Sequence, residues 1–101
     1  MFLPTARFTE SNCQQSLIAD ASGTIYCAAE GTPAPQIEWE REDGVQLDKA
    51  RFTKLSSGSL YVNPVHQQDE GTYICILTQN KGSVSRTYTA LKFIQVCIKS
   101  E

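Results

Sequence analysis

Asp69-Glu70-Gly71-Thr72-Tyr73-Ile74-Cys75 is the stretch that decides the fold. Its second half alternates polar and apolar side chains after a glycine, the pattern of a half-buried strand leaving a turn. Tyr73 and Cys75 are two apart, so they point to the same side, where the tyrosine hydroxyl can bond back to the turn backbone. Working outward, Cys27 lies 48 positions earlier and Trp39 12 after that cysteine. Both flanking stretches, Thr24-Ile25-Tyr26-Cys27-Ala28-Ala29 and Gln36-Ile37-Glu38-Trp39-Glu40, also read as strands. In a sandwich of two sheets such cysteines face one another across the core, so Cys27 and Cys75 can bridge the sheets while the indole packs on the sulfurs.

The rest of the chain repeats this grammar. Leu60-Tyr61-Val62 follows Ser56-Ser57-Gly58, Arg51 to Leu55 is a weaker strand, and a turn near Lys81-Gly82 leads into a long strand from about Val84 to Val96. No apolar stripe of helical period runs beyond two turns. The expected fold is therefore all-β, with seven or so short strands forming a sandwich or barrel.

With its D-x-G-x-Y-x-C run and its Cys–Trp–Cys spacing, the chain resembles an immunoglobulin domain over nearly its whole length, which implies a two-sheet Greek-key sandwich of about seven to nine strands. Only 11 residues separate Trp39 from Arg51, room for one short strand (Gly44-Val45-Gln46-Leu47) and not two. Gly31-x-Pro33-x-Pro35-x-Ile37-x-Trp39 and Leu60-x-Val62-x-x-Val65 are similar to the intermediate set, found in adhesion molecules, receptors and muscle proteins. That resemblance implies a structural ion pair between Arg51 and Asp69. The run from Gln36 to Gly44, with the early Cys13, also resembles ectodomain modules of the protein tyrosine kinase 7 pseudokinase receptors.

Composition narrows the function. The 101 residues fit one domain, expected to use 8–96 for the sandwich and its ends as linkers to neighbours. A net charge of -2 gives no basic footprint for nucleic acid, and no apolar run is long enough to insert in a membrane. Met1-Phe2-Leu3, broken by Pro4 and Arg7, does not read as a signal peptide. The one histidine, His66, sits in a polar loop and reads as a solvated residue, not a general base. Of Glu38, Glu40, Glu42 and Asp43, alternation along a strand spaces the first three on one face without converging them, so the group reads as a solvated acidic face and not a metal site. No cofactor, metal or catalytic group is expected. Strand parity instead turns Ile74 and Ile76 outward beside Glu38 and Glu40, a candidate protein-binding face to which Arg86 and Tyr88 could contribute.

Cys13 and Cys97 remain. Counted along regular strands they fall at opposite poles, on the order of 40 Å apart, against the less than ~7 Å between Cα atoms that a bridge needs. They are therefore expected to reach neighbouring domains or stay free. Four cysteines in so short a chain favour an oxidising compartment. The function expected is an extracellular immunoglobulin-like module of a receptor or adhesion protein, meeting a protein ligand or a homophilic partner. The alternative is an intracellular structural module of muscle or cytoskeleton.

Overall fold

The computed structural model describes residues 13–81 and 86–100. Seven strands form two sheets: β1 (Gln15–Ile18), β2 (Gly23–Ile25), β3 (Gln36–Arg41), β4 (Phe52–Lys54), β5 (Leu60–Val62), β6 (Gly71–Lys81) and β7 (Arg86–Lys99). One sheet has the order β1-β7-β6-β3 and the other β2-β5-β4. Every pairing is antiparallel except β1 with β7, which run parallel.

Period-two patterning builds the core. In β3, Ile37 is buried between exposed Gln36 and Glu38. In β7, Ile94, Val96 and Ile98 point inward, and in β6 Tyr73 and Cys75 are fully buried. Ile25, Phe52, Leu60, Val62 and Val65 meet them from the second sheet and its loops.

Three local expectations are corrected. Gly44 to Leu47 is not a strand: Gly44 takes φ +84°, its N–H bonds the Arg41 carbonyl at 3.0 Å, and the Asp43 carboxylate accepts the Val45 N–H at 3.0 Å. This turn lifts the segment away from the edge of β3. Lys54 Nζ then occupies that edge, donating to the Ile37 carbonyl at 2.7 Å. Cys27 is not mid-strand either, because β2 ends at Ile25. Its backbone is satisfied by one side chain, the Ser59 hydroxyl, which accepts from Cys27 N–H at 3.2 Å and donates to its carbonyl at 3.3 Å. Finally, β7 continues past residue 96 to Lys99, held by β1.

Candidate recognition face

The Cys–Trp–Cys constellation and the tyrosine before its second cysteine meet in the core. Cys27 and Cys75 form a disulfide with Cα atoms 6.6 Å apart. Trp39, partly buried against the core, donates its indole N–H to the Gly58 carbonyl at 2.7 Å. Tyr73 hydroxyl donates to the Asp69 carbonyl at 2.7 Å and accepts from Arg41 Nη1 at 3.2 Å. Burial pushes the Tyr73 phenol up to about 12.

Arg51 grips Asp69 with two nearly parallel bonds, Nη1 to Oδ2 at 2.8 Å and Nη2 to Oδ1 at 2.9 Å. Asp69 Oδ2 also accepts the His66 N–H at 2.7 Å. Burial opposes the charge on Asp69, but the Arg51 and His66 donors outweigh it and hold the carboxyl below its ordinary range. The arrangement closes the 3-10 turn Gln67–Asp69 that precedes β6.

Cys13 and Cys97 also form a disulfide, with Cα atoms 5.7 Å apart, and this overturns the expectation that they lie at opposite poles. The reason is register. β1 pairs only with the far end of the 14-residue β7, Gln15 opposite Val96 and Ser16 opposite Cys97. The chain therefore joins the sheet beside the end of the last strand, where Gln14 N–H bonds the Gln95 carbonyl at 3.0 Å.

Outward on the same sheet lies the candidate face. Register places Glu40 beside Ile74 and Ile74 beside Phe93; the next row runs Glu38, Ile76, Leu91. Leu91 and Phe93 are 55% and 47% exposed, large values for such side chains, while Ile74 and Ile76 are half-buried between them and the acidic strand. Leu91 and Phe93 were missed by sequence reasoning. The pairing Ile74↔Phe93 could have been found only by knowing how many residues the β6–β7 turn spends. Arg86 and Tyr88 pair with Lys81 and Gln79, two rungs or more beyond this patch, and their side chains lie outside the described ones.

A polar border ends the patch. Thr72 donates to Gln95 Oε1 at 2.8 Å, and Gln14 Oε1 accepts the Gln95 N–H at 2.9 Å. The Cys13–Cys97 disulfide lies just beyond, since Leu91, Phe93, Gln95 and Cys97 share one side of β7. On the acidic flank Lys54 contacts Glu38 at 3.2 Å, leaving Glu40 without a basic neighbour in the described residues. No cluster of groups fit to hold a metal ion occurs among the described residues, and no helix there is long and apolar enough to cross a membrane.

Comparison with known proteins follows the geometry. The family model described as "Immunoglobulin domain" matches residues 13–88. Human "Roundabout homolog 3" is 35% identical over 82 residues, covering 81% of this chain and 6% of that protein. Chicken "Protein sidekick-2" is 38% identical over 74 residues, covering 68% of this chain and 3% of that protein. This chain thus spans a small part of the relatives it matches. Among solved structures, "Drosophila OTK, extracellular domains 3-5" superposes with a TM-score of 0.64 at 25% identity, over 84% of this chain and 28% of that one. These similarities support the immunoglobulin domain and do not single out the protein tyrosine kinase 7 modules.

Proposed function

The chain belongs to the immunoglobulin-domain family, and from that premise we propose that it recognises another protein through the outer face of its four-stranded sheet, without catalysis. It is an extracellular immunoglobulin module. Both cysteine pairs are oxidised, and the similar solved structure consists of extracellular domains. We read residues 1–101 as one module of a longer receptor or adhesion protein, flanked by further domains.

One observation carries the reading: Leu91 and Phe93 stand exposed beside Ile74 and Ile76 on a face that no other described element covers. A contiguous apolar patch rimmed by polar groups is the usual mark of a contact surface. Glu38 and Glu40 give that rim a sign, so the fitting partner presents an apolar centre flanked by lysine or arginine. A second copy of the same face would set like charges near one another or bury them on apolar side chains, which disfavours a homophilic contact.

The test displays the domain multivalently against an array of purified extracellular domains. Bound partners should lose tenfold or more affinity with Ile74→Lys or Phe93→Glu, at unchanged melting temperature, and should bind more weakly as salt rises. Partners that survive both substitutions would place recognition elsewhere. A monomer–dimer equilibrium in sedimentation, abolished by Ile74→Lys, would reassign the face to a second copy.

A further inference from the structure

We infer that the Cys13–Cys97 bridge is a force bypass, which lets the domain sit in a pulled chain without being unfolded by the pull. The argument is one of connectivity. Tension on a module enters through the backbone before residue 13 and leaves through the backbone after residue 97. Here those two points are covalently joined, with Cα atoms 5.7 Å apart and 84 positions between them in sequence. A load between them passes across one disulfide, and everything from Gln14 to Val96 lies in a loop outside the loaded path.

Hydrogen-bond geometry shows what this protects. β1 and β7 run parallel, so opposed forces on the start of β1 and the end of β7 would shear the rungs Gln15↔Val96 to Ile18↔Lys99 together. Without the bridge those few rungs would be the first to bear load. With it, only the chain beyond Cys97 can be peeled, against the rungs Leu17↔Ile98 and Ile18↔Lys99, the Ile98 N–H bond to Glu70 at 3.1 Å, the Gln67 Nε2 bond to the Ile98 carbonyl at 3.2 Å and the Lys99 carbonyl bond from Ala19 N–H at 2.8 Å. Peeling two or three residues lengthens the chain by about 10 Å and then stops.

The Cys27–Cys75 bridge cannot do this. Its 48-residue loop lies wholly inside the larger one, and it leaves the segments 13–27 and 75–97 free to extend. The two bridges therefore differ in role: the inner joins the sheets, the outer joins the ends. The bypass concerns tension carried from one end of the module to the other; a load delivered through the proposed recognition face would enter inside the enclosed loop. The inference does not depend on that reading.

The experiment is single-molecule stretching of the domain between handles fused at its two termini, with cystine mapping of the same preparation by non-reducing peptide analysis. The oxidised wild type should lengthen by no more than about 10 Å up to forces that unfold ordinary modules. With Cys13→Ser and Cys97→Ser together, the domain should unfold in a step of about 120 Å. That is the extension of the 84-residue span less the 48 held by the inner bridge. Wild type in strong reductant should release about 290 Å, and it serves as the reference should the serine variant fail to fold. A step near 120 Å in oxidised wild type would overturn the inference, as would free thiols at Cys13 and Cys97.

Discussion

Asp69 shows how one carboxylate can hold a turn. Its carboxyl holds its charge to lower pH inside the fold than in the unfolded chain, where it titrates at ~3.9. Because the folded value is depressed, its stabilisation is present above the unfolded value and is lost as pH falls through the folded one. Urea unfolding should therefore weaken steeply below about pH 4, and Asp69→Asn should flatten that limb while costing about 2–3 kcal/mol at neutral pH. The figure sits below the range for fully buried pairs because the Arg51 side chain keeps 15% exposure. Tyr73 has the opposite sign. Its folded value of about 12 lies above the ordinary 10, so its share of stability is full below pH 10 and lost between there and 12. Tyr73→Phe removes that alkaline decline, and unfolding midpoints between pH 9 and 12 measure it. Both residues were legible in the D-x-G-x-Y-x-C run because one partner of each lies a turn away. Asp69 Oδ2 meets the His66 N–H, and the Tyr73 hydroxyl meets the Asp69 carbonyl.

Where strands stop was harder to read than where they run. Val62 and Tyr61 find two partner strands each, so β5 is legible from its alternation alone. Cys27 is different: the rung opposite it would fall on Gly58, which is turning at φ +100° under the Trp39 indole. No backbone is available there, and Ser59 substitutes a hydroxyl. Ser59→Ala should leave both Cys27 polar groups unpaired in a buried setting, a loss of about 1–3 kcal/mol in urea unfolding at unchanged disulfide content. Gly58→Ala should be worse, since a Cβ at that φ would also run into the Ile37 side chain. The same limit explains the missed face. Sequence parity gives the outward side of β6, hence Ile74 and Ile76. It does not give the register of β7, which a turn several residues away sets; a shift of one residue would exchange Leu91 and Phe93 for Lys92 and Ile94.

At the scale of the whole molecule, the register of the parallel β1–β7 pair is the feature the sequence conceals. β4–β5 and β6–β7 are consecutive in sequence, which constrains their register, whereas β1 and β7 are separated by nearly the entire chain. Residue counting therefore placed Cys13 and Cys97 far apart, and only the assembled sheet brings them to 5.7 Å. Their bridge encloses the Cys27–Cys75 loop, and nesting makes the two interdependent. With the inner bridge intact, breaking the outer one frees an effective loop of about 36 residues; with the inner bridge already cut, it frees the full 84. On the chain-entropy account the first loss is about 3.8 kcal/mol and the second about 4.6, so removing both should cost more than the sum of the separate removals. A double-mutant cycle in urea, with serine pairs at 13/97 and 27/75, reads the difference directly. Strict additivity would mean that the bridges act through local contacts in the folded sandwich and not through the unfolded chain.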